Sequence, residues 1–147
     1  MKVYIGADHR GFALKEKLKQ GLGDVDVIDM GAFEHQPTDD FVDFAKVVAQ
    51  KVSTDTTARG VLICGSGAGM CIAANKVTGV RSSVGHSVKE VIAARHDDDI
   101  NVLALPSDFV DDTLALEMVK AFLTTAFIPE ERFVRRIAKI KELETHA

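Results

Sequence analysis

The stretch Val61-Leu-Ile-Cys-Gly-Ser-Gly-Ala-Gly-Met70 decides the fold. Its apolar run stops at a cysteine and opens into alternating glycines. This reads as the end of a buried parallel strand, with Met70-Cys-Ile-Ala-Ala-Asn-Lys76 as the helix behind it. Cys64 then sits at the strand's carboxyl edge. Gly65, Gly67 and Gly69 let the backbone fold tightly, so that several N–H groups point at one place beside a helix N-terminus, and such a place favours negative charge. The spacing matches neither the dinucleotide fingerprint nor the Walker phosphate loop. Alone, the turn also fits a plainer reading in which Cys64 is a buried, inert thiol.

Working towards the N-terminus, Val3-Tyr-Ile-Gly-Ala7 reads as a strand that delivers Asp8-His9-Arg10-Gly11 to its carboxyl end. Leu14, Leu18 and Leu22 recur every four residues as a helix that Gly21 and Gly23 close. Val25 to Met30 alternates as a second strand, and Gly31 to Asp40 is a polar loop. Phe41, Phe44, Ala45, Val48, Ala49 and Val52 form one face of a helix before the third strand, Gly60 to Ile63.

Beyond the glycine turn, Gly79 to Gly85 is a fourth strand, and Ser87 with Glu90 forms a capping box that starts a helix carrying Val88, Val91 and Ile92 inward. Asp97-Asp-Asp99 ends that helix. Ile100 to Leu105 is the fifth strand, Ala115 to Ala126 an amphipathic helix, and Pro129 opens a last helix in which Phe133, Ile137 and Ile140 share a face. That helix also holds Arg132, Arg135 and Arg136.

Strands alternating with helices specify a doubly wound, Rossmann-like α/β fold: a five-stranded parallel sheet with helices on both faces and a C-terminal helix, in one domain over residues 1–147. In such sheets ligands bind beyond the carboxyl ends of the strands. That rule gathers Asp8, His9, the Cys64 to Gly69 turn and the Asp97 to Asp99 end into one cleft.

Composition narrows the partner. The chain carries a formal charge of −4, and its 18 Lys and Arg cluster clearly only near the C-terminus, which argues against nucleic acid and membrane surfaces. A small molecule fits better. Two cysteines without a second pair make no metal site, and the N-terminus runs straight into a strand, so the expected setting is reduced and cytoplasmic. No apolar stretch approaches the ~20 residues of a membrane span. Cys71, one turn into a helix among Met70, Ile72 and Ala73, is expected in the core; His35 and His86 have no evident partner, and His146 is expected in a terminal tail.

A cysteine at an anion-favouring turn, a hydroxyl at Ser66, an Asp8–His9 pair opposite and nearby arginines suit proton transfer on a phosphorylated substrate. Cys64 would take a proton from a carbon beside a carbonyl. The amides of Gly65 to Gly69 would stabilise the resulting enediolate, and Ser66 would pass protons between its oxygens.

These residues carry a resemblance. Gly6-Ala-Asp-His9 with Gly11-Phe-x-Leu-Lys15, Leu62-Ile-Cys-Gly-Ser-Gly-x-Gly-Met70 followed by Ile72-Ala-Ala-Asn-Lys76, Asn101-Val-Leu-Ala-Leu105, and Arg132-x-x-x-Arg136 closely resemble the type B ribose-5-phosphate isomerases, a family shared with the galactose-6-phosphate isomerase subunits. The resemblance implies an aldose–ketose isomerase with no metal or organic cofactor. It implies that Cys64 is the base moving a proton between C1 and C2, that Ser66 assists at the oxygens, and that Gly65, Gly67 and Gly69 form the anion hole. Asp8 then binds a substrate hydroxyl and His9 the phosphate end. Arg132 and Arg136 bind phosphate from the neighbouring subunit of a homodimer or homotetramer.

The chain also departs from that pattern. The family commonly reads Arg-x-His-Asn-Asp-x-Asn where this chain has Arg95-His-Asp-Asp-Asp-Ile-Asn101, so Asp97 replaces the ring-opening histidine and Asp98 its asparagine neighbour. Asp108 stands where an arginine touches phosphate, and Phe41 where many members have tyrosine. A carboxylate at 108 is expected to repel phosphate, leaving Arg132, Arg136 and Arg135 to attract it. The same chemistry on a tetrulose, allose or galactose 6-phosphate, or a non-catalytic sugar-phosphate-binding module, are the competing readings.

Overall fold

The structure, a computed structural model, describes residues 1–144; His146 lies outside the described residues. Five strands, β1 (Lys2–Ala7), β2 (Asp26–Asp29), β3 (Arg59–Cys64), β4 (Ser82–Val84) and β5 (Val102–Pro106), pair in parallel in the order β2-β1-β3-β5-β4. Between and after them run α1 (Phe12–Gly21), α2 (Phe41–Thr54), α3 (Ala68–Ala74), α4 (Val88–Asp98), α5 (Asp112–Thr124) and α6 (Glu131–Glu144). The chain leaves β1 in one direction along the sheet and passes back beyond it to β3. A right-handed crossover must therefore put α1 on one face and α2 on the other.

The core confirms this in two halves. On one face Leu14, Leu18 and Leu22 from α1 and its end, Val91 from α4, and Ala115, Met118, Val119 and Phe122 from α5 pack on Val3, Ile5, Val61, Ile63, Leu103 and Leu105. On the other, Ala45, Val48, Ala49 and Val52 of α2 with Met70 and Ala74 of α3 cover Tyr4, Leu62, Cys64 and Val102. Alternate residues of each central strand serve opposite faces, and both faces are apolar because both are covered. Fully burying each large side chain here contributes about 1.5–3 kcal/mol.

The fold follows the sequence closely, with local differences. Helix α3 starts at Ala68, two residues before the expected Met70, because Gly67 takes a left-handed conformation, φ 73°, that turns the chain at once into the helix. Ser87 caps α4 as expected, its Oγ accepting the Glu90 N–H at 3.2 Å, while the Glu90 carboxylate accepts the His86 N–H. Ile92 faces outward at 42% exposure, and α4 turns Val88, Val91 and Ala94 to the core instead. Cys71 is half-buried at a rim: its thiol donates to the Ser82 carbonyl at 3.3 Å and accepts from Asn75. Helix α6 packs on α4, with Phe133 edge-on to His96, and its far end reaches Gly79 through Glu144. No helix of the described residues is long and apolar enough to cross a membrane.

Candidate active site

Strand register builds the site. Ala7 pairs with Ile63, so the next residues, Asp8 and Cys64, leave the sheet side by side; Cys64 pairs with Pro106, so Ser107 and Asp108 flank Gly65. Strands β1 and β3 are also where the direction of winding reverses, and an open α/β sheet leaves a crevice there. The sequence-predicted Asp8, His9, Cys64, Ser66, Gly65, Gly67 and Gly69 therefore share one edge.

The β1–α1 turn approaches closely because Gly11 has no side chain: a Cβ there would lie 2.3 Å from the Ile63 carbonyl oxygen. Asp8, only 5% exposed, uses one carboxylate oxygen to accept the N–H groups of Arg10 and Gly11, each at 3.0 Å. Among the described residues its second oxygen has no hydrogen-bond donor. His9 is held by Asp39, whose Oδ1 takes the His9 backbone N–H at 3.0 Å and lies 2.7 Å from Nδ1. An ionised carboxylate only accepts, so Nδ1 carries the proton of this bond and Nε2 stays outside it.

Cys64 is 4% exposed, and its carbonyl accepts both the N–H and the hydroxyl of Ser107, at 2.9 and 3.1 Å. The Gly65 carbonyl accepts the Asp108 N–H and the Gly67 carbonyl the Cys71 N–H. These bonds anchor the turn through its oxygens. Among the described residues the N–H groups of Gly65, Ser66 and Gly67 have no protein acceptor, which leaves them available to an anion. Ser66 is exposed, and its Oγ accepts the Ala68 N–H at 3.3 Å, so the hydroxyl caps the turn with its proton directed elsewhere. Phe41 lies over Gly69, where a Cβ would sit 2.7 Å from the ring.

The structure separates the remaining predicted residues from this edge. Helix α4 delivers its C-terminus to the start of β5, and Val102 there pairs with Gly60, so Asp97, Asp98 and Asp99 lie at the amino edge. Four residues of strand, about 13 Å, separate the two edges. The expectation that one chain gathers the aspartates into the Cys64 cleft is thus corrected: a helix running back antiparallel to the strands must end at their beginnings. Asp99, at a left-handed φ of 48°, pairs with Arg81 and Arg95, while Asp97 meets His96 at 2.6 Å. Asp98 lines a groove of about 560 Å³ with Asn75, Arg81, Ile140 and Leu143. The thiol, the buried Asp8 and the free amides lie at the other edge.

Arg132 and Arg136 are on α6, on the α4 side. Arg132 pairs with Glu130 and covers the Phe133 ring, and Arg135 pairs with Glu131. Arg136 is exposed and, among the described residues, makes no ion pair. Two neighbours of the Cys64 turn escaped the sequence reading: Asp39, which fixes His9, and Arg10, whose guanidinium pairs with Asp108 and lies on Gly65. Among the described residues no group of three or more His, Cys, Asp or Glu is arranged to hold a metal ion.

A thiol beside free amides at the switch point of a doubly wound sheet defines an α/β enzyme of acid–base chemistry on small anionic molecules. Within that class the chain belongs to the ribose/galactose isomerase family, whose profile matches residues 3–140. A probable ribose-5-phosphate isomerase B of Mycoplasma genitalium is 40% identical over 145 residues, 97% of this chain and 95% of that one. The crystal structure of ribose-5-phosphate isomerase B from Mycoplasma genitalium with bound ribulose-5-phosphate superposes with a TM-score of 0.95 at 39% identity, covering 99% of this chain and 97% of that one. A 4-deoxy-4-sulfo-D-erythrose isomerase of a Clostridium species is 36% identical over 129 residues, covering 86% of this chain and 81% of its own.

Proposed function

We propose that this enzyme interconverts ribose 5-phosphate and ribulose 5-phosphate, in the cytoplasm, by proton transfer through an enediolate. The placement of Cys64 beside Asp8, with unpaired turn amides next to both, carries the reading. Cys64 takes the proton from C2 of the open aldose; the C–H electrons form the C1–C2 double bond, and the carbonyl oxygen takes the negative charge. The N–H groups of Gly65, Ser66 and Gly67 stabilise that oxygen. Ser66 relays the O2 proton to O1, and Cys64 returns its proton to C1, giving the ketose. Asp8 holds a substrate hydroxyl, and His9 offers Nε2 towards the phosphate.

The edge opposite Cys64 supplies the rest in trans. Asp97, Asp98, Arg132 and Arg136 share the α4–α6 side of the molecule, so a second copy of the chain brings them to the Cys64 cleft together. Exposed Ile72, Ile140 and Leu143, at 62%, 41% and 73%, give α3 and α6 apolar surface for that contact. In the homodimer, or a pair of dimers, Asp97 exchanges a proton with the ring oxygen, and Asp98, Arg132 and Arg136 hold the substrate. Arg136→Ala should raise the KM for ribose 5-phosphate by about 10- to 100-fold, the range for losing a charge-assisted hydrogen bond, and leave unphosphorylated sugars unaffected. Steady-state kinetics on both substrates checks this, and indifference to the phosphate removes Arg136 from the site.

Asp108 favours a second reading, in which the substrate is a shorter sugar with a singly charged end, such as the sulfonated tetrose named for the Clostridium relative. The deciding experiment is an isomerase assay of the purified chain on ribose 5-phosphate and on four- and six-carbon sugar phosphates and sulfonates. Turnover of ribose 5-phosphate above the others supports the first reading, turnover of the tetrose alone the second, and none at all a binding module or an unlike partner subunit.

A further inference from the structure

We propose that Arg10 is the specificity-determining cation for the anionic end of the substrate, and that Asp108 orients it there. The proposal rests on the reading of the Cys64 cleft as a sugar-phosphate site. Arg10 directly follows the Asp8–His9 pair, and its backbone is fixed on both sides: its N–H donates to Asp8 Oδ1 at 3.0 Å, and its carbonyl accepts the Ser107 hydroxyl at 3.1 Å. The side chain turns over the glycine turn. A Cβ on Gly65 would lie 2.4 Å from the Arg10 Cζ, so the guanidinium rests on the backbone whose N–H groups are free.

Charge gives this placement its consequence. Asp8, Asp39 and Asp108 bring three carboxylates to the edge, and a carboxylate at 108 by itself would repel an anionic ligand. Its ion pair with Arg10 removes that repulsion and fixes the guanidinium at the mouth of the cleft. The pair remains half-open, with side-chain exposures of 56% and 34%, so it is weak enough for a stronger anion to share. Asp108 occupies part of a five-donor fork; the other donors stay available for a phosphate oxygen. Arg10 therefore acts on affinity and charge selection, remote from the carbon that loses its proton.

The test combines kinetics with titration by inorganic phosphate, followed calorimetrically. Arg10→Ala should raise the KM for ribose 5-phosphate about 10- to 100-fold with kcat changed much less, and weaken phosphate binding by a similar factor. Asp108→Asn, whose amide oxygen still accepts from the guanidinium and so keeps its orientation while a negative charge is removed, should tighten phosphate binding about threefold to tenfold, an effect that salt reduces. Arg10→Ala combined with Asp108→Arg should recover most of the lost affinity by returning a cation to the same gap. The proposal is overturned if Arg10→Ala changes KM and phosphate affinity less than about twofold, or if Asp108→Asn weakens both as much as Arg10→Ala does. A wild-type chain without ribose 5-phosphate turnover would overturn the proposed substrate instead, while the phosphate titration still decides the role of Arg10.

Discussion

Cys64→Ala is expected to lower kcat for isomerisation by about 10²- to 10⁴-fold, the contribution of a positioned general base, while the fold and most of the affinity for ribulose 5-phosphate remain. That loss corresponds to roughly 2.7–5.5 kcal/mol of transition-state stabilisation. Affinity is expected to survive because the groups proposed to hold the ligand, the turn amides, Asp8, His9 and Arg10, are left in place. The fold survives because the thiol is a small group at the margin of the α2–α3 core, and Ser107 bonds the Cys64 backbone rather than its sulfur. Kinetics, calorimetric binding of ribulose 5-phosphate and a melting curve on one preparation separate the three effects. Unchanged kcat would leave Cys64 as a packed thiol and move the base elsewhere; lost binding would mean that the thiol shapes the turn.

The fold was legible because its signals are local and repeat. Apolar runs ending in Asp8-His9 and in Cys64-Gly65 mark carboxyl edges, and the periods of α2 and α5 name the residues that the core buries. The family reading, drawn from the same motifs, agrees with the profile match. Legibility failed where contacts join residues distant in sequence and without periodicity. His9 and Asp39 meet across 30 positions through an irregular loop, and Arg10 and Asp108 across 98. Asp108 did leave a trace, as a carboxylate where an anion should bind. A cation added elsewhere on the same edge was its natural complement, and Arg10 stood between the two parts of the quoted motif, in the stretch that follows the first strand. The aspartates of α4 were misplaced for another reason: the sequence shows which helix they end, whereas the edge they occupy depends on that helix running antiparallel to the sheet.

Asp29→Ala should remove about 3–5 kcal/mol of stability, a large share of the ~5–15 kcal/mol typical of a domain, and lower the melting temperature by on the order of 10 °C. The cause is Lys15, a charged side chain with no solvent exposure. Its Nζ donates to both Asp29 oxygens, at 2.7 and 2.9 Å, and to the Ala32 carbonyl, while Lys19 reaches the same carboxylate at 2.6 Å. Without Asp29 a buried ammonium keeps the Ala32 carbonyl and only a longer approach, 3.4 Å, to the more exposed Glu16 carboxylate. Burial alone would raise the Asp29 carboxyl, but the Lys15 and Lys19 hydrogen bonds, with the Gly31 N–H, outweigh it and hold the group below its ordinary 3.8. A carboxyl depressed on folding contributes fully above its unfolded value and loses that contribution as pH falls through the folded one. Acid denaturation below about pH 3.8 should therefore include an Asp29 component that Asp29→Asn abolishes. Lys15→Met combined with Asp29→Asn should recover much of the melting temperature, because it removes the buried charge together with its partner. The single variant should also lose activity, since Asp29 holds Gly31, Gly31 accepts the Ala7 N–H, and the loop beyond carries Asp39 to His9. A melting temperature lowered by less than about 3 °C in Asp29→Ala would show that Lys15 finds water when its partner is gone.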